Sequence, residues 1–241
     1  MVGVAIRVIG LDGAETPALA LDKDELAAIA SRLTRIEHKR VPYSEVVEEE
    51  GRISTALQIR MFHNTIKPVP VILGSGSGHS PTPLSYAGYL FQSKTAVLRD
   101  NQAFYTAAAA ECRKPYSRVP GVRPPSNWIG QSSGDTILKC RKLFVRNESM
   151  IAVLSTEIAL LRYHADHGAY PARLADIAPH YLKSVPIDPF GQGKPIIYRL
   201  TNGGKSFLLY SRGMDMRDDG GRPTKWIDTK AKGDYVAGKL D

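Results

Sequence analysis

Aspartates crowd the end of this 241-residue chain, among them Asp215, Asp218, Asp219, Asp228 and Asp234. A hard cation such as calcium seeks oxygens of this kind, taking about six to eight from carboxylates and backbone carbonyls on irregular segments. Aspartate also folds turns unaided, its carboxylate accepting hydrogen bonds from backbone N–H groups a few residues away. Both readings stand for this segment. Gly130-Gln131-Ser132-Ser133-Gly134 satisfies the GxSxG of a hydrolase elbow, which exposes its serine on a sharp strand-to-helix turn. Only Trp128-Ile129 precedes it as candidate strand, and no series of alternating strands and helices lies upstream, so a polar turn is expected instead. His164 and His167 stand three apart on a helical stretch, close enough to share a metal. No third ligand stands in a matching motif, and a histidine pair near a helix end also suits the helix dipole. Gly74-Ser75-Gly76-Ser77-Gly78 offers backbone N–H groups to an anion but lacks the Lys-Ser/Thr of a nucleotide loop and the GxGxxG spacing; it reads as a flexible loop.

The elements that would position these residues follow from periodicity. From Glu148 to His167 there is no Pro or Gly, and Ile151, Leu154, Ile158, Leu161 and Ala165 recur at spacings of three and four, which predicts an amphipathic helix. Gly168 ends it and Pro171 prevents its resumption. A second, shorter helix buries Leu174, Ile177, Tyr181 and Leu182, and the corner Pro186-Ile187-Asp188-Pro189-Phe190-Gly191 stops it. Ile196–Leu200 and Ser206–Tyr210 flank Asn202-Gly203-Gly204 as a β-hairpin.

Upstream, Asp22 to Ile36 reads as a helix capped at Asp22, with Leu26, Ile29, Ala30 and Leu33 on its apolar face. Ser44 to Phe62 is another, with Val46, Val47, Ile53, Leu57 and Met61 expected inward and Glu48-Glu49-Glu50 solvated rather than metal-binding. Ser93 to Cys112 returns to helix. Lys67–Tyr86 and Lys114–Trp128 carry the prolines of irregular connections.

The order of turn, corner, hairpin and aspartate loop resembles the globular domain of the type II secretion major pseudopilins. Tyr170-Pro171 to Leu174 matches that family's YPxxL, Pro186 to Gly191 its PxDPxG, and Ser211, Gly213, Asp215, Gly220 and Gly221 its SxGxDGxxGG. The resemblance implies a long helix lying on a small antiparallel sheet and a calcium loop that pins the last strand-like turn. It makes Ser211, Asp215, Asp218, Asp228 and Asp234 the candidate ligands. Met216 departs from the pattern, standing where the family has glycine, and seven basic residues between Arg212 and Lys239 dilute the negative field. A further departure is the membrane-embedded half of the family's helix. Met1 to Leu11 is the one early apolar run and contains Arg7, whereas a spanning helix needs about 20 apolar residues. Glu48 to Ser54 and Arg113-Lys114-Pro115-Tyr116 are also similar to segments of an uncharacterised envelope-protein family of Planctomycetes, in which a membrane helix precedes a region like this one.

The expected fold class is therefore α+β, with residues 1–145 a helical region with Pro- and Gly-rich loops and 146–241 a pseudopilin-like domain. The formal net charge of +8 is dispersed, its clearest cluster being Arg141, Lys142 and Arg146, which does not specify a nucleic acid as partner. Cys112 and Cys140 could bridge or remain thiols, and two cysteines do not decide between these states. The resemblance implies a non-catalytic structural or assembly protein of the cell envelope, periplasmic or membrane-anchored in its full-length form. Its partners would be proteins of a secretion or pilus-like assembly, with membrane contact only through a segment absent from this chain. The alternatives are a serine hydrolase using Ser132 and a peptide- or glycan-binding module using the proline-rich loops.

Overall fold

Why the chain folds as two packed units is visible in where its apolar residues go. The computed structural model describes residues 21–63, 93–117, 120–224 and 232–238, and the side chains of residues 128–133 are not described. The expectations for Met1–Leu11, for Lys67–Tyr86 with its Gly74–Gly78 loop, and for Asp228 fall outside these residues. The described elements are helices α1 (Lys23–Lys39), α2 (Tyr43–Phe62), α3 (Lys94–Cys112) and α4 (Trp128–His167), a 3-10 turn at Leu174–Ile177, and strands β1 (Ile197–Thr201), β2 (Ser206–Ser211) and β3 (Tyr235–Val236). The architecture is α+β. No helix among the described residues is long and apolar enough to cross a membrane.

One unit takes the described residues up to Arg40 together with those from Val145 onward; the other lies within Val41–Phe144. The division therefore falls at two places, and α1 belongs with the C-terminal part of the chain. In that unit Leu26 and Leu33 of α1 join Val153, Leu154, Ile158 and Leu161 of α4, Leu174 and Ile177 of the 3-10 turn, and Ile196 and Leu209 of the hairpin region. Local chemistry starts α1 where the sequence indicates. Asp22 Oδ1 accepts from the Glu25 N–H at 2.8 Å, and the Glu25 carboxylate accepts from the Asp22 N–H at 3.0 Å, a reciprocal capping box that satisfies two otherwise orphaned donors.

The sheet is antiparallel with order β1-β2-β3. Ile197 faces Tyr210 and Thr201 faces Ser206 across the hairpin, and Tyr210 and Ser211 then pair with Val236 and Tyr235. Between Pro171 and Pro186 the expected short helix is a single 3-10 turn that buries Leu174 and Ile177. Tyr181 and Leu182 lie beyond it, partly buried against the same core.

In the other unit α2 packs on α3, and Tyr43, Val47, Phe104, Tyr105, Ala108, Ala109 and Ile137 form the core. Two inward expectations fail here, since Val46 and Ile53 are 38% and 48% exposed. The buried face of α2 is instead Tyr43, Val47, Gly51, Gln58 and Met61. Gly51 allows it: a Cβ there would stand 2.8 Å from Tyr105 Cβ, so the two helices approach at a residue that hydrophobicity does not flag. Gln58 is tolerated inside because Asn101 donates to its Oε1 at 3.0 Å, and Asn127 in turn donates to Asn101 at 3.2 Å.

The largest departure is the start of α4, which begins at Trp128 and runs for 40 residues. The expected polar turn at Gly130–Gly134 is helix.

Candidate functional site

The aspartate loop is built on the end of β2 and held by two buried carboxylates. Asp188, in the Pro186–Gly191 corner, is 1% exposed and serves as the hub. Its Oδ1 accepts from the Phe190 N–H at 3.0 Å and from Ser211 Oγ at 2.7 Å, and its Oδ2 accepts from the Arg212 N–H at 3.0 Å and the Arg212 guanidinium at 3.2 Å. Ser211 Oγ also accepts from Ser149 Oγ of α4 at 2.6 Å. One carboxylate thus ties the corner to the last residue of β2 and, through Ser211, to the helix. Ionised carboxylates make the stronger hydrogen bonds, and a buried one must have them to remain charged.

Asp234 is the second staple. It is fully buried, and Gly221 N–H donates to its Oδ2 at 2.7 Å while Asp219 N–H donates at 3.1 Å. Its own backbone bridges to the strand-like Arg222–Thr224 segment: its N–H donates to Arg222 O at 2.8 Å and its carbonyl accepts from Thr224 at 3.1 Å. Burial pushes its carboxyl up to about 6; the two N–H donors oppose that rise, and the nearby Asp219 and Asp218 charges add to it.

Asp218 is placed by Tyr210, whose hydroxyl donates to it at 2.8 Å while accepting from Arg199 at 2.5 Å. Gly220 N–H supplies another bond at 3.0 Å. Burial raises the Asp218 carboxyl, but the Tyr210 and Gly220 hydrogen bonds and two arginines outweigh it, and the net shift is downward. Asp215 does not join this group by any hydrogen bond; its Oδ1 accepts from the Arg217 N–H at 3.2 Å. Met216 takes φ 57, the left-handed conformation that a glycine would adopt at less cost.

Of the expected ligands, then, the structure brings Asp218 and Asp234 together and adds Asp219. It assigns Ser211 to the Asp188 hub. The donor chemistry suits a hard cation, being oxygen throughout with repelling carboxylates around Asp234. As positioned, however, the Asp234 carboxylate accepts from two backbone N–H groups and Asp218 Oδ1 accepts from Tyr210 and Gly220. Among the described residues no group of three or more His, Cys, Asp and Glu is arranged to hold a metal ion.

The other candidates resolve differently. Ser132 lies within α4, with helix on either side of it, and not on the strand-to-helix turn a nucleophile elbow requires. Gly134 permits that helix, because a Cβ there would stand 2.6 Å from Pro124 Cβ and 3.0 Å from Phe104 Cζ. His164 and His167 stack on different rings, Tyr170 at 4.4 Å and Tyr163 at 4.0 Å between centroids, so each is part of an aromatic contact. Arg141 is buried, not part of a surface basic patch. Its guanidinium lies 3.7 Å from Glu111 and donates to Lys114 O at 3.0 Å. Glu48, Glu49 and Glu50 are exposed on α2, where Glu48 pairs with Arg113 and Glu49 with Arg52. Cys112 and Cys140 are free thiols, both half-buried.

Asp188 is the residue whose importance sequence reading missed. Its signal was the Pro186-Ile187-Asp188-Pro189-Phe190-Gly191 corner itself, where Pro189 restricts the backbone of the aspartate before it and leaves the carboxylate free to reach across to another strand. Comparison of the chain with protein-family models, with curated proteins and with solved structures gives no match.

Proposed function

We propose that this chain is a non-catalytic structural or assembly protein of the cell envelope whose C-terminal unit acts as a pseudopilin-like head. The observation that carries the reading is the double staple: Asp188 spends its carboxylate fixing the corner to the end of β2, and Asp234, beside the terminal strand, spends its own fixing the Asp219–Gly221 loop. Buried acids committed to backbone and hydroxyl donors rigidify a surface and leave no free base for proton transfer. A head of this kind works by presenting a fixed face to protein partners. Calcium belongs to the proposal through Asp215, Asp218, Asp228 and Asp234: a divalent cation would relieve the repulsion that Asp218 and Asp219 exert on Asp234.

Site-specific photo-crosslinking in the native cell tests the assembly reading, with the probe placed on the exposed residues Arg199 and Leu200 of β1. The expected result is discrete adducts to envelope proteins or to a second copy of the chain. Adducts to neither, combined with labelling of Ser132 by a fluorophosphonate, would replace the proposal with the hydrolase alternative.

A further inference from the structure

The two edges of the β1-β2-β3 sheet are treated differently. Beside β3, Asp234 N–H donates to Arg222 O and its carbonyl accepts from the Thr224 N–H, so the Arg222–Thr224 segment lies along that edge. Beside β1 the corner covers a shorter stretch. Asp188 N–H donates to Lys194 O at 2.9 Å and Ile196 N–H donates to Pro186 O at 3.2 Å, on either side of the antiparallel Ile187–Pro195 bridge. Beyond Ile196 that cover stops.

Strand parity determines which groups are left over. A strand residue turns its N–H and C=O to one side, and the next residue turns them to the other. Ile196 faces outward to the corner, so Tyr198 and Leu200 face outward too. The far side of β2 gives the same answer independently. Leu209 O accepts from the Ala237 N–H at 2.9 Å on the β3 side, so Phe207 and Leu209, which stand opposite Leu200 and Tyr198, turn their polar groups away from β1. The bonds to β2 therefore come from Ile197, Arg199 and Thr201. The N–H and C=O groups of Tyr198 and Leu200 point outward, and among the described residues nothing meets them. Leu200 is 39% exposed at this edge.

We propose that the outer edge of β1 accepts an extended segment of a partner protein as an added antiparallel strand, with apolar residues beside Tyr198 and Leu200 and an acidic residue beside Arg199. That a partner exists rests on the assembly reading; how it docks rests on the edge. An open edge is a template for pairing, and in strand addition the main chain supplies affinity while alternate side chains supply specificity. Tyr198 shares with Phe207 and Leu209 the face that packs on the core, and Leu200 is next along that face, which suits apolar neighbours. Arg199 lies on the opposite face and is exposed. One guanidinium nitrogen donates to Tyr210 Oη at 2.5 Å, and the remaining N–H groups are available to a carboxylate. A second copy fits less well. In the antiparallel register that matches Tyr198 with Leu200, Arg199 would stand opposite its own equivalent, and like charges directly opposite destabilise a strand pair.

The test is amide exchange of the full chain with the peptide acetyl-Thr-Val-Glu-Val-Thr-amide and with its counterpart carrying Lys at the centre. The glutamate peptide should slow exchange at Tyr198 and Leu200 by roughly fivefold, with little change at Ile197, Arg199 and Thr201, which already bond to β2, and the lysine peptide should do less. No change at Tyr198 and Leu200, or an equal change at the alternate amides, overturns the docking edge. Equal effects of the two peptides overturn the acidic partner. Protection that rises with protein concentration alone replaces the partner with a second copy. In the native cell, Leu200→Pro removes one outward N–H and leaves the bonds to β2 intact, proline being tolerated on a strand edge. It should lower the adduct yield from a probe at Arg199 by roughly tenfold, the worth of one hydrogen bond and a blocked approach. Undiminished adducts overturn the edge and leave the assembly reading standing; absent wild-type adducts beside an intact peptide result count against the assembly reading and support the edge. Should Leu200→Pro not fold, the peptide experiment on the wild type decides.

Discussion

Replacing Asp188 by alanine removes one carboxylate and strands four donors: Phe190 N–H, Ser211 Oγ, Arg212 N–H and the Arg212 guanidinium. Phe190 and Ser211 are both fully buried, so their donors cannot turn to water in the native fold. Breaking a buried charge pair by deleting one partner costs about 3–5 kcal/mol, and each unsatisfied buried donor alone costs about 1–3 kcal/mol. One feature moderates the sum: the Arg212 side chain retains 15% exposure and can swing outward. The expected loss for Asp188→Ala is therefore about 3 kcal/mol, and for Asp188→Asn, which keeps one acceptor oxygen and the shape, about 1.5–2 kcal/mol. Urea unfolding followed by circular dichroism measures both; with a slope of about 2 kcal/mol per molar, the alanine variant moves the midpoint down by about 1.5 M. A loss below about 1 kcal/mol for Asp188→Ala would refute the hub assignment, since a surface turn aspartate costs no more than that.

Four further outcomes follow from the same geometry. Gly213→Ala should lose about 2 kcal/mol or more in the same unfolding experiment, because Gly213 has φ 65 and a Cβ there would stand 2.3 Å from Gly233 O. Gly134→Ala would gain about 1 kcal/mol in an open helix. Here the 2.6 Å approach to Pro124 should turn that gain into a net loss, read as a lower thermal midpoint. The Glu111 carboxyl is held below its usual range, first by its hydrogen bond from Lys114 and then by one from Gly121. Its stabilising contribution is accordingly present above the ordinary glutamate value and lost as pH falls through the lowered one, and Glu111→Gln should flatten the acid limb of stability against pH. Adding calcium to protein stripped with EGTA should raise the thermal midpoint if the aspartate loop takes the ion, and Asp234→Asn should abolish the rise; an unchanged midpoint in the wild type removes calcium from the proposal.

Some of these elements were written locally and others were not. The capping box of Asp22 and Glu25, the end of α4 at Gly168 with φ 72, and the hairpin about Asn202–Gly204 depend on residues within a few positions of one another. Their chemistry is complete before the chain meets itself. Helix α4 shows the opposite case. Its glycines and serines from Gly130 to Gly134 argue for a turn, yet the segment is helical because Gly134 is the one residue small enough to lie against Pro124 and Phe104. Propensity was overridden by packing with residues 10 and 30 positions away. On α2, apolar Val46 and Ile53 face outward while Gly51 and Gln58 go in, again because a partner helix, with Tyr105 and Asn101, decides which face is closed.

The aspartate-rich end was legible as a place where carboxylates gather, and Asp218 and Asp234 do meet there. Sequence by itself determined that these residues could serve either a cation or the backbone, along with the capped start of α1, the end of α4 and the β1–β2 hairpin. It could not rank Asp188 above Asp215, nor mark Asp234 as the second buried carboxylate. Those outcomes belong to tertiary structure alone, because the cost of a carboxylate depends on the water it loses and the donors it gains, and both are set by residues distant in the chain.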